Sequence, residues 1–297
     1  MQTPVDVYAH TKPGHDRSHW EPLTTHLQEV AGQAATFADA FGAREWGHTL
    51  GAWHDLGKYS DAFQTYLQTS HDADAGEESA SPGRVDHSTY GARHARERLP
   101  GITGQLLAAC IAGHHGGLPD TLQPTTRGTL GFRMDPSLWP IKPVALSAEV
   151  SAAPKLTLPW RPAGSEPVTF GFSLAFFGRM LFSCLIDADR LATERFCDPS
   201  QAAERGRPTP TLGALKNQLD TFLKQKQRQA PTTPVNAVRR QVLAECLTAA
   251  ARPPGFFSLN VPTGGGKTFA SLAFALHHAA THPMLHRVVV GIPGSVD

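Results

Sequence analysis

The 297-residue sequence predicts a mainly α-helical protein followed by an incomplete α/β segment. Two observations support this fold class. Through most of the first two hundred positions, apolar residues recur three and four places apart, as they do on one face of a helix. After residue 235, short apolar runs and a helical run alternate, which indicates a strand, loop, helix and strand in that order.

The composition excludes several classes of protein. The chain has 40% hydrophobic and 18% charged residues, which is typical of a globular protein and not of a disordered one. Its four scattered cysteines indicate neither a disulfide framework nor a cysteine-based zinc site. Without an apolar run of membrane-spanning length or a signal peptide, the protein is expected in the cytoplasm, away from membranes.

Helices are predicted one after another in the first part of the chain. They cover residues 22–41, 43–56, 59–69, 87–98, a run from Ile102 to the His114-His115 pair, and 172–196. A break is expected near Gly57, because glycine commonly ends a helix. Nine prolines between Pro119 and Pro167 predict an irregular insertion, since proline suits neither a helix interior nor a central strand.

Histidines and carboxylates stand on the inner faces or at the ends of these helices. The candidate metal ligands are His26, His54, Asp55, His87, His114, His115 and Asp187. Five imidazoles and two carboxylates are about the set that two divalent ions require, with one carboxylate bridging the ions. Asp55 is the expected bridge, because its neighbour His54 can serve one ion while its own two oxygens reach both.

The chemistry of these ligands narrows the metal without identifying it. Imidazole and carboxylate ligands without thiolate favour two transition-metal ions among Mn, Fe, Co, Ni and Zn. Each residue alone has an ordinary alternative. His26 could be a buried histidine with satisfied hydrogen bonds, and the His114-His115 pair could stabilise a helix end. The ordered series of helix-face and helix-end ligands favours the metal site.

A glycine-rich loop lies in the α/β segment. The run NVPTGGGKTFASL stands between a strand predicted at 255–261 and a helix, and a second strand is predicted at 286–293. Backbone N–H groups of such a loop bind phosphates, its lysine reaches the β and γ positions, and its threonine ligates Mg²⁺. The predicted ATP- and Mg²⁺-binding residues are Thr263, Gly264, Gly265, Gly266, Lys267 and Thr268. The acidic motif of a complete motor is not found after residue 200, so ATP turnover by this chain alone is predicted absent.

Five motifs, HLQEVA, WHDLGKY, DHSTYGA, AGHHGG and LIDADR, resemble a known family in their order and spacing. They are similar to the HD-type nuclease domain of the CRISPR-associated helicase–nuclease of type I systems, over about residues 8–200. The resemblance implies an HD-domain helical bundle with His26, His54, Asp55 and Asp187 around one ion. It implies Asp55, His87, His114 and His115 around the other.

The same resemblance implies a function. The family cuts single-stranded DNA that a guide-RNA surveillance complex displaces, so these are the expected substrate and partner in antiviral defence. Lys58 resembles the family lysine near the scissile phosphate, although an ordinary exposed lysine is an equally good interpretation. The run VNAVRRQVL and the glycine-rich loop resemble the start of a superfamily 2 helicase, which implies an incomplete RecA-like segment.

The predicted organisation is therefore a nuclease domain at 1–200, a basic proline-containing linker at 201–234 and a truncated helicase lobe at 235–297. Two alternatives remain open. The chain could be a nucleotide phosphohydrolase of the wider HD class. It could also be an inactive truncated product that only binds DNA or the guide complex.

Overall fold

The computed structural model describes residues 7–12, 14–69, 85–121, 126–142, 144, 146–147, 150, 152–160, 167–205 and 209–291. The chain divides into two compact units, Met1–Gly206 and Arg207–Asp297. The described residues are mainly helical, which confirms the predicted fold class. The predicted domain limits of 1–200, 201–234 and 235–297 stay predictions, and most of the predicted linker is helical.

The first unit contains a small sheet and eight described helices. Strands β1 (Tyr8–His10) and β2 (Glu21–Pro22) pair antiparallel. Short 3₁₀ turns lie at Arg17–His19 and Leu56–Tyr59. The helices are α1 (Leu23–Asp39), α2 (Arg44–Trp53), α3 (Asp61–Thr69), α4 (Ser88–Arg98), α5 (Gly101–Gly113), α6 (Leu130–Met134), α7 (Pro167–Cys197) and α8 (Pro199–Arg205).

Helices α1 and α2 touch through their backbones because glycines face the contact. A Cβ on Gly47 would lie 2.2 Å from the carbonyl oxygen of Ala34, and one on Gly51 would lie 2.5 Å from the backbone of Ala31. Buried leucines and a valine, including Leu23, fill the core beside this contact. Burial of each such side chain contributes about 2 kcal/mol, so the α1–α2 pair is a firm base for the residues that follow α2.

Helix α7 is the long apolar helix of the first unit. By length and composition it could cross a membrane, contrary to the expectation that no run approaches that length. This is weak evidence for a span, because core helices pass the same test. Phe177, Leu181, Leu185 and Ala188 of α7 are buried in the hydrophobic core with α1, α2 and α5. Packing within the unit therefore accounts for these four residues, whereas Phe172 and Phe176 of the same helix are exposed.

The predicted insertion at 119–167 is irregular where it is described, apart from the short helix α6. It is nevertheless tied to the rest of the unit by side-chain hydrogen bonds. The indole N–H groups of Trp46 and Trp53 donate to the carbonyls of Thr157 and Val150, each at 2.9 Å. The insertion thus packs against α2 through two of its buried tryptophans.

The second unit contains three described helices, α9 (Leu212–Gln229), α10 (Pro234–Ala249) and α11 (Lys267–Thr281). The strands predicted at 255–261 and 286–293 do not form among the described residues, and positions 292 and 293 lie outside them. A strand requires a neighbour to accept its backbone hydrogen bonds, and the apolar run alone does not supply one. Phe256 and Val289 are largely exposed. The RecA-like segment remains a prediction.

Candidate metal centre

Most residues of the candidate centre stand at helix ends. His54 and Asp55 follow the last residue of α2 directly. His87 immediately precedes α4, and His114 and His115 follow α5. These helix ends meet in the interior of the first unit, so residues far apart in sequence converge. All five were predicted as ligands, and the structure brings them together.

Gly57 allows the turn after Asp55 to approach the start of α4. Its N–H donates to the carbonyl of His87 at 3.1 Å. A Cβ at this position would lie 2.1 Å from the same oxygen. No residue with a side chain fits there unless His87 moves, so glycine at this position holds His87 close to Asp55.

Asp55 is buried at the middle of the cluster. Its Oδ2 lies 3.2 Å from Nε2 of His54 and 3.6 Å from Nε2 of His26. Its Oδ1 lies 3.3 Å from Nε2 of His114 and 3.5 Å from Nε2 of His87. Each oxygen therefore faces its own pair of imidazoles, which is the arrangement that a bridging carboxylate requires.

The second carboxylate of the centre is Asp189, and the prediction of Asp187 is wrong. Oδ1 of Asp189 lies 3.3 Å from Nε2 of His26 and 3.6 Å from Nε2 of His54. Asp187 is exposed on the opposite side of α7. Residues two apart on a helix do not face each other, so only one aspartate of LIDADR can point into the centre.

Three imidazoles are oriented by backbone carbonyls. Nδ1 of His54 lies 2.8 Å from the carbonyl of Gly51, and Nδ1 of His114 lies 2.7 Å from that of Ile111. Nδ1 of His87 lies near the carbonyl of Val85 in the same way. A carbonyl only accepts, so each Nδ1 donates, and the Nε2 of each ring faces the centre and offers its lone pair there when the ring is neutral. Histidines that bind metals usually donate their other ring nitrogen to a carbonyl or carboxylate in this way. Burial would lower the pKa of His54, but without an ion Asp55 and Asp189 raise it to about 10, so a metal ion would displace a proton from this ring.

Several buried polar atoms at the centre have no hydrogen-bond partner among the described residues. They are Nε2 of His54 and His114, both ring nitrogens of His26, and Oδ1 of Asp55. A buried polar atom without a partner costs about 1–3 kcal/mol. A cation among these atoms would satisfy the three Nε2 lone pairs and the carboxylate oxygen together, so the residues present fit metal ions.

The charges of the centre also favour cations. Burial alone would raise the pKa of Asp55, but His54, Lys58 and His87 outweigh it and hold that pKa well below its usual range. Burial opposes ionisation of Asp189 too, yet the nearby imidazoles of His26 and His54 keep its pKa low. Both carboxylates are therefore ionised at neutral pH and available as metal ligands.

His115 stands at the rim of the centre. It is exposed, and its Nε2 lies 2.7 Å from Nε2 of His87. Ligand atoms of Asp55, His87, His114 and His115 all lie within 4.8 Å of one another. A separate set of ligand atoms from His26, His54 and Asp55 is equally compact. Asp55 thus belongs to two groups that could each hold an ion.

Lys58 is buried, so its interpretation as an ordinary exposed lysine is wrong. Its ammonium group lies 2.8 Å from Oδ2 of Asp55 and donates to the carbonyl of Ala9 at 3.3 Å. A buried ammonium is stable only when such partners compensate its lost hydration. The lysine therefore adds a fixed positive charge beside Asp55.

Two residues near the centre were not predicted, His10 and Glu21 of the small sheet. Nδ1 of His10 lies 2.6 Å from Oε2 of Glu21, and that oxygen lies 3.4 Å from Nδ1 of His26. Burial would raise the pKa of Glu21, but both histidines lower it to about 2. Glu21 thus orients His26 as a carboxylate behind a ligand. Only its position five residues before His26 could have suggested this role.

The predicted nucleotide-binding residues belong to the second unit. Thr263 to Gly266 form the turn before α11, and Lys267 and Thr268 are exposed in its first turn. Gly264 and Gly266 have φ values of 86° and 88°, which glycine adopts without strain. The turn has the backbone conformation of a helix N-terminus open to an anion, and its ligand stays a prediction.

Comparison with known proteins supports the assignment of the first unit. Residues 9–155 match the family model described as Cas3, HD domain. No curated protein matches the chain. The match contains every residue of the centre except Asp189, which α7 adds. The match supports an HD domain of the Cas3 type over residues 9–155 and, together with the cluster around Asp55, a metal-dependent hydrolase centre.

Proposed function

We propose that the chain is a metal-dependent nuclease that hydrolyses phosphodiester bonds of single-stranded DNA in CRISPR interference. One observation carries this proposal. In a Cas3-type HD domain, the two oxygens of Asp55 face two different pairs of imidazoles. A centre for two ions suits a phosphodiester, because attacking and leaving oxygens must be stabilised together.

The proposed ligands divide into two sets that share Asp55. The first set is His26, His54, Asp55 and Asp189, and the second is Asp55, His87, His114 and His115. Divalent ions held there would supply an activated water and would stabilise the charge that develops on the phosphate. The protein's own task is to hold these ligands at short range and to orient each imidazole through its Nδ1 contact.

Lys58 is proposed to assist the phosphate. Its ammonium lies 2.8 Å from Asp55, so a phosphate at the centre would come within reach of a fixed positive charge. A pocket of about 420 Å³ lies beside His87 and His115 and is lined by Gly116 and Gly117. The pocket is open to solvent and gives a strand a route to the second set of ligands.

The proposed partner rests on the family match. We propose that the guide-RNA surveillance complex delivers the DNA and that the reaction takes place in the cytoplasm. The turn before α11 is proposed to bind the phosphates of ATP with Mg²⁺, as the start of a helicase segment. Its support is the pair of left-handed glycines and the exposed Lys267 at the helix start.

A nicking assay tests the proposal. Purified full chain with Mn²⁺ is incubated with circular single-stranded DNA and, separately, with deoxynucleoside triphosphates. Nicking of the circle that is lost in Asp55→Ala is the expected result. Release of phosphate from the triphosphates with the circle intact would instead identify a nucleotide phosphohydrolase, and no reaction on either substrate would indicate an inactive product.

A further inference from the structure

A network of hydrogen bonds surrounds Asp86, the residue before His87. Its Oδ1 accepts from the backbone N–H groups of Ser88 and Thr89, both at 3.1 Å. Its Oδ2 accepts from the indole N–H of Trp139 at 2.8 Å. Asp86 therefore caps the start of α4 and connects it to the insertion, which contains Trp139.

Arg133 of α6 joins this network with its whole guanidinium group. Nε donates to Oγ1 of Thr89 at 2.8 Å, and Nη2 donates to Oγ of Ser88 at 2.7 Å. Nη2 also lies 3.2 Å from Oδ1 of Asp86. Burial would raise the pKa of Asp86, but Arg133 and the Thr89 hydrogen bonds lower it, so this contact is a charged pair.

The remaining nitrogen of the same guanidinium reaches a different helix. Nη1 of Arg133 donates to the carbonyl of Ala112, two residues before His114. One side chain therefore connects the start of α4 to the end of α5. These are the two segments that carry His87, His114 and His115. A planar guanidinium can make such a fixed fork, which a single ammonium cannot reproduce.

Arg93 of α4 holds the backbone of Arg133 in place. The guanidinium of Arg93 in α4 donates to the carbonyl of Arg133 at 3.0 Å through Nε and at 2.7 Å through Nη2. It also lies at 3.3 Å from the carbonyl of Asp135. Arg93 thus fixes the backbone that presents Arg133, which makes α6 a support for the two helix ends.

We propose that Arg133 is a positioning residue for His87, His114 and His115, and that it acts on one of the two proposed ion sites. This inference rests on the proposed two-ion centre. The described hydrogen bonds of Arg133 reach α4 and α5 and none reaches α1, α2 or α7, which hold the first set of ligands. Loss of the guanidinium hydrogen bonds is expected to release the segments that position His87, His114 and His115. The first set of ligands is expected to keep its arrangement.

The test is a titration of the metal-free full chain with Co²⁺, followed by visible absorption. Wild-type protein is expected to bind two equivalents. In Arg133→Gln, the first equivalent is expected to bind as in wild type, and the second at least about tenfold more weakly with an altered spectrum. The spectrum reports coordination, which a general loss of stability does not change. The titration contains no DNA, so a contact of Arg133 with substrate would not affect it.

Two further variants sharpen the test. Arg127→Gln removes the same charge from an exposed position in the same insertion, where Arg127 lies over the Trp139 ring at 5.8 Å, and is expected to bind both equivalents normally. Arg133→Lys keeps the charge but not the fork, so it is expected to fold as wild type and still to bind the second equivalent more weakly. It replaces Arg133→Gln if that variant does not fold.

The outcomes separate the inference from the function on which it rests. If wild-type protein binds fewer than two equivalents, the two-ion proposal fails. If wild type binds two and both Arg133 variants bind two equally well, Arg133 does not position the second set. Equal weakening of both equivalents, or the same effect in Arg127→Gln, would also overturn the inference while the two-ion centre stands.

Discussion

Asp55 is a buried carboxylate with one ammonium partner and several imidazoles around it. Lys58 approaches its Oδ2, and imidazoles approach both oxygens at distances longer than a good hydrogen bond. The partner-less Nε2 atoms of His54 and His114 lie on either side of it. These ligand atoms face a common space. A cation bound in that space would therefore stabilise the set.

The two aspartates of α7 offer a matched pair of variants. Asp189→Asn removes a carboxylate that approaches His26 and His54, so we expect one metal equivalent to bind at least about tenfold more weakly and nicking to fall with it. Asp187→Asn changes an exposed residue of the same helix and is expected to leave both unchanged. Metal titration and the nicking assay measure the two effects. A larger loss in Asp187→Asn would contradict the geometry.

At the scale of single residues, the sequence predicted most of the side chains that the structure brings together, because residue type and placement at helix ends are visible in it. His26, His54, Asp55, His87, His114 and His115 converge in the structure. The choice between Asp187 and Asp189 depended on which face of α7 points inward. Leu181 and Leu185 are buried, and Asp189 follows Leu185 by four residues on the same face, so their burial indicates that Asp189 points inward. The contact of Glu21 with His26 joins a strand to a helix and leaves no local pattern.

The elements hold the centre through backbone contacts as well as side chains. Gly47 and Gly51 let α2 lie directly on α1, so the end of α2 has a fixed place above His26. Gly57 likewise lets the turn after α2 lie directly against the backbone of His87, at the start of α4. The helices were predictable because their periodicity is local. The strands of the second unit were not, because a strand depends on a partner elsewhere in the chain and an apolar run does not reveal one.

Glycine variants test this close packing. Gly47→Ala would place a Cβ 2.2 Å from a carbonyl oxygen of α1, so we expect the free energy of unfolding to fall by about 3 kcal/mol. Gly32→Ala lies in α1 with nothing within 4 Å of the added Cβ and is expected to raise it by up to about 1 kcal/mol through helix propensity. Urea unfolding measures both. Similar values for the two variants would mean that α1 and α2 are less closely packed.

The whole molecule combines a helical unit that carries every proposed metal ligand with a second unit that carries the glycine-rich turn. Metal ions that bind the folded first unit and not the unfolded chain must stabilise it by mass action. Asp55 already lies 2.8 Å from the ammonium of Lys58, and Asp189 lies 3.3 Å from Nε2 of His26, so both buried carboxylates have compensating partners without an ion. Metal is therefore expected to raise the stability of the first unit without being required for folding.

Metal removal gives the corresponding measurement. With Mn²⁺ at one hundred times its dissociation constant, the stabilisation is about 2.7 kcal/mol, which corresponds to a rise in melting temperature of about 5–10 °C for a unit of this size. Thermal unfolding with chelator and with Mn²⁺ measures the rise. Asp55→Ala is the control and is expected to lose it. A metal-free chain that is unfolded at room temperature would show instead that the ions are structural.

Separation of the two functions between the two units is the last expectation. Lys267 is exposed in the first turn of α11, whereas all proposed ligands of the nuclease centre lie in the first unit. Lys267→Ala is therefore expected to abolish binding of a fluorescent ATP analogue and to leave nicking of already single-stranded circles unchanged. Asp55→Ala is expected to show the reverse pattern. Loss of nicking in Lys267→Ala, in protein with wild-type thermal stability, would mean that the glycine-rich turn contributes to the cleavage reaction.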